Sequence, residues 1–240
     1  MSDWLDFWSR TQRVYVNDRH REAHFRKVAT DVLAVLDDPS IRVLDYGAGE
    51  ALHADRIAAA AGHVILCELA DGVRRRLAAR FADHPGISVV GDVSGLEPGS
   101  VGLMVVNSVL QYLSDAELDR LLADAARLLP AGGRLLVGDV VPVRTSLAGD
   151  VAALLRYGAR HGFLLAAVVS LCATAMSPYT KVRRRLGLSR HDEAGLVARL
   201  AAAGFTAHRH LPNLSHNPNR MSFMAIRDPA TRKTQEAAAA

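Results

Sequence analysis

The sequence has few cysteines and lacks the usual signs of export. Its two cysteines, Cys67 and Cys172, show no spacing typical of a metal site or a redox pair. Cys67 ends an apolar run and is predicted to be a buried thiol. No basic region followed by an apolar run stands at the N-terminus, so no secretory signal is expected and the predicted location is cytoplasmic.

Little in the sequence indicates a membrane span or a nucleic-acid partner. The apolar run at 163–176 is too short to cross a bilayer. The net charge of +4 comes largely from arginines on predicted helices, where solvated helix faces are the simplest explanation. Nucleic-acid binding usually needs a clustered basic stripe, so no nucleic-acid partner is predicted. With 240 residues, half of them hydrophobic, the chain is long enough for one large folded domain.

Short apolar strands alternate with helices along most of the chain, which predicts a parallel sheet with right-handed crossovers. The predicted strands are 41–45, 63–68, 87–91, 101–106, 134–140, 205–211 and 221–227. The predicted helices are 19–36, 51–61, 71–83, 115–129 and 189–203. The last two strands are expected to form an antiparallel hairpin.

One domain is predicted over residues 1–230. It has an N-terminal helical region (1–37) and a helical insertion (143–190) between the fifth strand and the last long helix. Residues 231–240 are expected to be a disordered tail.

A glycine-rich turn follows the first predicted strand. Asp45 precedes Gly47, Ala48 and Gly49, and an alanine-rich helical stretch begins at Ala51. Glycine has no Cβ and adopts positive φ, so the chain can turn sharply while a ligand lies against the backbone. The turn leads into a helix N-terminus, whose free N–H groups favour an anionic group.

Acidic residues also end the next two strands. Glu68 stands nineteen residues after Gly49, where doubly wound α/β folds place the carboxylate that binds ribose hydroxyls. Asp92 ends the following strand. Each acid alone could be a cap or turn residue. In this order, Asp45, Glu68 and Asp92 indicate an adenosine-containing cofactor.

The turn does not fit a dinucleotide. The fingerprint G-x-G-x-x-G needs a third glycine, and Leu52 stands at that position. Asp45, directly before the turn, suits a cationic amine better than a pyrophosphate. S-adenosylmethionine carries such an amine and no phosphate.

With these motifs, residues 35–142 and 190–227 resemble the class I S-adenosylmethionine-dependent methyltransferases. The resemblance implies an α/β fold with a doubly wound, seven-stranded, mostly parallel Rossmann-like sheet and a C-terminal antiparallel hairpin. It also implies S-adenosylmethionine as the cofactor. One departure is Ala51, which replaces the family's usual third glycine and is also small.

The resemblance implies a role for each cofactor-binding position. Asp45 and the turn of Gly47, Ala48 and Gly49 would hold the methionine end of the cofactor. Glu68 would take both ribose hydroxyls through charge-assisted hydrogen bonds.

Five further residues complete the implied cofactor site. Asp92 would accept the adenine amine, and Val93 would pack on the adenine ring. Asn107 and Ser108 would lie beside the methionyl moiety. Tyr15 either closes over the cofactor or packs on the core.

The stretch after the fourth strand indicates a class of acceptor. Family members that methylate bases or glutamine carry Asn/Asp-Pro-Pro-aromatic there, whereas residues 107–113 contain no proline. A small-molecule oxygen or carbon acceptor is therefore predicted. Many small-molecule members have a histidine near Gln111 or Tyr112, and this chain has none there. The catalytic base stays unassigned, with Tyr112, Asp139 and His161 as candidates.

No metal site is predicted. His208 and His210 share a face of one predicted strand, and His216 lies in the next loop. A histidine trio is conceivable, but no carboxylate or cysteine is spaced to complete it.

The insertion leaves three interpretations open. The apolar run 163–176 could be a core helix, followed by a solvated basic helix containing Lys181, Arg183, Arg184, Arg185 and Arg190. It could instead be a lid that encloses an apolar substrate at the carboxyl ends of the strands. It could also lie in a membrane surface with the arginines on anionic headgroups, which would suit a lipid or isoprenoid substrate.

The predicted function is S-adenosylmethionine-dependent methyl transfer to a small, apolar metabolite. Two alternatives of another class are a nicotinamide-dependent oxidoreductase and a non-catalytic adenosine-binding module. Titration with S-adenosylmethionine and with a nicotinamide cofactor distinguishes a methyltransferase from an oxidoreductase. Formation of a product excludes a non-catalytic binding module. The oligomeric state is not predicted.

Overall fold

The structure, a computed structural model, describes residues 15–174 and 188–229. Three predictions fall partly or wholly outside these residues. They concern the first part of the N-terminal helical region, the basic segment 181–185 and the tail 231–240.

Seven strands form one sheet. They are β1 (Arg42–Tyr46), β2 (His63–Cys67), β3 (Ile87–Val90), β4 (Leu103–Asn107), β5 (Arg134–Val140), β6 (Phe205–His210) and β7 (Met221–Arg227). The order is β3-β2-β1-β4-β5-β7-β6. β1 to β5 are parallel, and β7 pairs antiparallel with both β5 and β6. The predicted doubly wound, mostly parallel sheet with its antiparallel hairpin is confirmed.

Seven α-helices accompany the sheet in the described residues. They are α1 (Asp18–Ala34), α2 (Ala54–Ala58), α3 (Asp71–Arg80), α4 (Asp115–Leu128), α5 (Leu147–His161), α6 (Leu164–Thr174) and α7 (Glu193–Ala202). Capping residues set several starts. Asn17 accepts a hydrogen bond from the His20 amide, Ser114 and Glu117 form a capping box, and Asp192 accepts from the Gly195 amide.

The helices cover both faces of the sheet, and the core lies in two layers. Val43 and Leu66 pack with α1, α2 and α3 on one face. Leu44 and Ile65 pack with α4 and α7 on the other face. Because neighbouring residues of a strand point to opposite faces, a strand buried on both sides is apolar throughout. Cys67 is buried in this core, as predicted.

The helix after the glycine turn is shorter than predicted. It begins at Ala54 rather than at residue 51 and ends at Ala58. Ala51 has a φ of +42°, which a right-handed helix cannot contain. The expectation that the turn leads directly into a helix N-terminus is therefore wrong, because a bend of several residues intervenes.

The insertion contains a helical hairpin. α5 ends at Gly162, whose φ of +73° reverses the chain before α6. Phe163 and Ala167 are buried, in one cluster with Tyr157 of α5 and Ala23 of α1. The opposite side of α6 is exposed and apolar, with Leu164, Leu165, Val168 and Val169. The interpretation of α6 as a fully buried core helix is therefore wrong.

Within the described residues, no helix has both the length and the apolar content needed to cross a membrane.

Candidate active site

The carboxyl ends of the parallel strands lie side by side. Tyr46 pairs with Cys67, Cys67 with Val90, and Asn107 with Gly138. The residues that follow these strand ends therefore meet at one edge of the sheet, where open α/β folds bind ligands. They include Gly47, Glu68, Asp92 and Ser108, and Asp139 lies beside them in the last residues of β5.

The glycine turn leaves space against its backbone. Gly47 has a φ of +77°, and a Cβ there would lie 2.6 Å from Cγ2 of Val109. The amides of Gly47 and Ala48 both donate to the carbonyl of Cys67, at 2.8 and 3.2 Å. Gly49 has a φ of +59°, and a Cβ there would meet no described atom within 4 Å. A ligand can therefore approach the turn at Gly49.

Glu68 ties this turn to the end of β2. Its two carboxylate oxygens accept from the amide of Gly49 at 3.0 Å and from the amide of Ala70 at 2.8 Å. Burial raises the pKa of Glu68, and the two backbone hydrogen bonds oppose that shift. A carboxylate has about four lone-pair sites, so the group retains acceptor capacity for hydroxyl donors.

The surroundings of Asp45 disfavour the ionised form of its carboxyl group. Burial, together with the negative charge of Glu68, raises its pKa to about 7. It lines a small cavity beneath α1, with Ala51 and His53. A cation next to this carboxyl would favour its ionised form, which fits the predicted amine.

Asp92 and Val93 differ in exposure. Asp92 is exposed and accepts from the amide of Ser94 at 2.8 Å and from its hydroxyl, which lowers the pKa of Asp92. Val93 is buried. The pair thus offers an outward carboxylate next to an apolar side chain.

Asn107, Ser108 and Asp139 meet where β4 and β5 end. Oδ1 of Asn107 is buried and has no hydrogen-bond partner among the described residues. The Ser108 hydroxyl donates to Oδ2 of Asp139 at 2.8 Å. Both residues have positive φ, +60° and +55°. Strained backbone of this kind concentrates at functional sites.

Tyr15 lies at the same edge. Its ring packs 5.6 Å from that of Phe25 and 5.5 Å from that of His20. Burial raises its pKa above the ordinary range, and the nearby charges of Glu50 and Asp139 act in the same direction. Both predicted roles of Tyr15 are compatible with this position.

The three candidate bases differ in position and exposure. Asp139 lies at the sheet edge, 3.9 Å from Nε of Arg220. His161 is exposed, and its ring lies 4.3 Å from that of Tyr157. Tyr112 is half-buried in a 3-10 helix, Leu110–Tyr112.

The structure also brings together three residues that the sequence analysis did not connect as a site. His20 of α1, Tyr157 of α5 and His216 of the β6–β7 loop form one cluster of contacting rings, in which His20 and Tyr157 are buried and His216 is half-buried. They come from three distant segments, so no local spacing could have linked them. His208 and His210, which the sequence analysis grouped with His216, lie on β6.

The fold and these residues fit a known family. Residues 43–133 match the model of a family described as a methyltransferase domain. A search of the curated proteins finds no match.

Three similar solved structures have this fold. One is 1,6-didemethyltoxoflavin-N1-methyltransferase from Burkholderia thailandensis, with 18% identity, a TM-score of 0.59, and coverage of 95% of this chain and 86% of that one. Another is magnesium protoporphyrin IX methyltransferase from Synechocystis PCC 6803, with 18% identity, a TM-score of 0.56, and coverage of 95% and 94%. The third is the pyocyanin biosynthetic protein PhzM, with 16% identity, a TM-score of 0.57, and coverage of 84% and 55%.

The first two of these structures contain bound S-adenosylhomocysteine. The chain spans only about half of PhzM, so it is compared with one part of that protein. The open space at Gly49, the Glu68 carboxylate and the unpartnered Asn107 oxygen fit the polar groups of such a cofactor. The chain therefore has the fold of the class I S-adenosylmethionine-dependent methyltransferases, and its residues 43–133 match a methyltransferase-domain model.

Proposed function

We propose that this enzyme methylates an oxygen or carbon atom of a small, apolar metabolite held beneath α5 and α6. The observation that carries the proposal is the position of this helical hairpin. It follows the end of β5, and Pro142, which precedes it, pairs with His191, which follows it in the chain. An acceptor under the hairpin would lie next to Asp139, at the strand ends.

Polar contacts support a fixed position for the hairpin. Asp150, in the first turn of α5, accepts from Nδ2 of Asn217 at 2.7 Å and from Arg220 at 3.0 Å. At the other end of α5, the Arg19 guanidinium donates to the carbonyl of Gly162 at 3.1 Å. The hairpin is thus attached to the β6–β7 loop and to α1.

The inner side of the hairpin is apolar and aromatic. Tyr157, Phe163 and Ala167 are buried there, and Leu154 packs against them. A site of this composition favours an apolar acceptor, because polar groups lose hydration when they enter it.

The cofactor supplies an electrophilic methyl group, and the chain supplies alignment. We infer that Asp45 and the turn of Gly47, Ala48 and Gly49 hold its methionine end, and that Glu68 accepts its ribose hydroxyls. Asp92 and Val93 would receive the adenine.

The remaining cofactor contacts lie between the turn and the hairpin. We infer that Asn107 and Ser108 lie beside the methionyl moiety. Tyr15 would close that side of the site, next to Asp139 and Glu50.

A labelling experiment tests the proposal. The protein is incubated with methyl-deuterated S-adenosylmethionine and a metabolite extract of the cells that make it, and the products are partitioned between water and ethyl acetate. We expect a labelled small molecule in the organic phase by mass spectrometry. Label confined to protein or nucleic acid would contradict the proposal.

The exposed side of α6 favours one second candidate, an acceptor taken from a membrane surface. Leu165 is exposed next to Val168 and Val169, in a strip without charge. Such a strip can enter the headgroup boundary of a bilayer. Co-sedimentation with anionic vesicles, lost in a Leu165→Ser/Val169→Ser variant of normal cofactor affinity, would support a lipid or isoprenoid acceptor.

A further inference from the structure

We propose that His20, Tyr157 and His216 bind an acidic hydroxyl group of the methyl acceptor, with His20 as hydrogen-bond donor and His216 as proton acceptor. This inference rests on the proposed function, and it narrows the acceptor to a phenol or an enol. We call the three residues the His–Tyr cluster.

The first observation is a set of unsatisfied polar atoms. Nε2 of His20, the hydroxyl of Tyr157 and Nδ1 of His216 are all buried, and none has a hydrogen-bond partner among the described residues. His20 is 7% exposed and Tyr157 is 8% exposed. Each unpaired buried polar group costs about 1–3 kcal/mol. Three of them in one place indicate a partner that residues 15–174 and 188–229 do not provide.

The second observation is their proximity. The rings of Tyr157 and His216 are stacked, with centroids 4.7 Å apart and planes at 23°. The centroid of His20 lies 5.5 Å from that of His216 and 6.0 Å from that of Tyr157. Three separate segments therefore direct polar rings into one small volume.

The hydrogen bonding of His20 determines its tautomer. The amide of Val16 donates to Nδ1 of His20 at 3.2 Å, so that nitrogen has no proton. The proton of the neutral ring is then on Nε2. Burial, with a smaller contribution from His216, lowers the pKa of His20 to about 4, so the ring stays neutral at pH 7. His20 thus presents one N–H donor with no partner.

His216 is neutral and has a ring nitrogen that can accept a proton from an acidic hydroxyl group. Burial lowers its pKa, and the charges of Arg220 and Lys27 act in the same direction. The carboxylates of Asp139 and Asp150 oppose this shift. The ring is therefore neutral before reaction, and the two carboxylates can stabilise the imidazolium that forms.

Methylation of the acceptor begins with the transfer of its hydroxyl proton. The acceptor O–H bond breaks and its proton passes to Nδ1 of His216. The acceptor oxygen forms a bond to the methyl carbon, and the electron pair of the broken C–S bond stays on the sulfur. The proton later leaves His216 for solvent.

The walls of the cluster favour an aromatic or enolic acceptor over an aliphatic alcohol. Phe163 stacks on His20 with centroids 4.9 Å apart and planes at 21°. A flat ring can pack edge-on or offset against aromatic side chains of this kind. An aliphatic alcohol is also far less acidic than a phenol, so a neutral imidazole could not remove its proton efficiently.

The test uses 4-nitrophenol as the probe and 4-nitroanisole, which lacks the hydroxyl proton, as its control. Both are titrated into the full chain saturated with S-adenosylhomocysteine. We expect 4-nitrophenol to bind at least about tenfold more tightly, as one hydrogen bond of about 1.4 kcal/mol implies. Side-chain ¹⁵N spectra should show His20 as the Nε2–H tautomer. The signals of His20 and His216 should shift on addition of 4-nitrophenol, while that of exposed His208 should not.

Variants provide a second measurement. His216→Gln and Tyr157→Phe should each weaken 4-nitrophenol binding by about tenfold and leave 4-nitroanisole within about twofold. His208→Gln is the matched control and should change neither the affinity for 4-nitrophenol nor that for 4-nitroanisole. Affinity for S-adenosylhomocysteine should stay unchanged in all three variants.

Two results would overturn the inference. One is the absence of 4-nitrophenol binding at millimolar concentration with S-adenosylhomocysteine bound, and the other is binding that shifts neither histidine. In either case, a labelled product in the experiment on metabolite extracts would show that the proposed function stands without this cluster. Failure of S-adenosylhomocysteine to bind would instead contradict the cofactor assignment.

Discussion

Ser108 and Asp139 face each other across the ends of β4 and β5, joined by a 2.8 Å hydrogen bond, and both have a left-handed backbone. Neither residue type adopts this conformation without cost, which is about 1–2 kcal/mol per residue. The adjacent strand pair Asn107–Gly138 holds the two residues in place. The strain therefore lies where the methionine end of the cofactor and the acceptor are expected to meet.

We predict an unusual order of stability at Ser108. Ser108→Ala removes the hydrogen bond and keeps the strain, whereas Ser108→Gly removes both. The glycine variant should therefore be about 1 kcal/mol more stable than the alanine variant. Urea unfolding of both proteins measures this difference. An alanine variant that equals or exceeds the glycine variant would show that the strain at residue 108 is negligible.

Asp45 should make stability depend on pH. Its folded pKa of about 7 lies above the ordinary value of 3.8, so the folded state holds this proton more tightly than the unfolded state. The contribution of Asp45 to stability is therefore full below pH 4 and is lost as the pH rises to about 7. Asp45→Asn should become more stable relative to the wild type over this range. Parallel unfolding curves at pH 5 and pH 7.5 measure the change.

Cofactor binding provides a second measurement of the ionisation of Asp45. A cationic amine next to Asp45 favours the ionised carboxyl, so binding near pH 6 should release a proton. Calorimetry in two buffers of different ionisation enthalpy detects that proton. Equal proton release by the wild type and Asp45→Asn would mean that the amine lies elsewhere.

Glu68 should contribute strongly to cofactor affinity. Glu68→Ala removes a carboxylate expected to accept two ribose hydroxyls, and should weaken binding by about 2–4 kcal/mol, because such bonds contribute about 1.5–3 kcal/mol each and are not additive. Glu68→Gln keeps one acceptor oxygen, so its cofactor affinity should lie between that of the wild type and that of Glu68→Ala. Calorimetry with S-adenosylhomocysteine measures the losses.

A control is needed because Glu68 also binds the amides of Gly49 and Ala70. Thermal unfolding of the Glu68 variants shows whether the fold persists. Asp55→Asn, at the start of the neighbouring α2, should leave the affinity unchanged. A folded Glu68→Ala variant with normal affinity would remove Glu68 from the cofactor site.

The two sides of α6 should respond differently to substitution. Val168 is 45% exposed, so Val168→Ser should change the free energy of unfolding by less than about 0.5 kcal/mol. Phe163 is 2% exposed, and Phe163→Ala should cost about 3–5 kcal/mol. Urea unfolding measures both values. A large loss in Val168→Ser would mean that another segment of the chain covers that side.

The sheet and its edge were predictable because their signals are local. An apolar run followed by an acid or glycine occurs at the ends of β1, β2 and β3, and parallel strands bring such ends to one edge. The prediction of the cofactor class rested on the series Asp45, Glu68 and Asp92 and on the missing third glycine of the turn. The capping box at Ser114 was also visible in the sequence, since its two partners are three residues apart.

The start of α2 could not be predicted, because alanine ordinarily favours a helix. The positive φ of Ala51 results from the turn around it and not from its own preference. The sequence also did not predict that the outer side of α6 is exposed. A helix that is apolar on every side can be buried, lie at an interface or carry an exposed strip, and only its packing partners decide among these.

The sequence by itself thus determined the succession of strands and helices along the chain and the acids at the strand ends, because each depends on residues that are neighbours in the chain. Tertiary structure alone decided which polar groups lie unpaired together. His20 is separated from Tyr157 by more than half of the chain, and Tyr157 from His216 by about a quarter of it. The three residues meet because α1, α5 and the β6–β7 loop converge. Burial there removes them from water, and that loss of hydration makes them a candidate site for the acceptor.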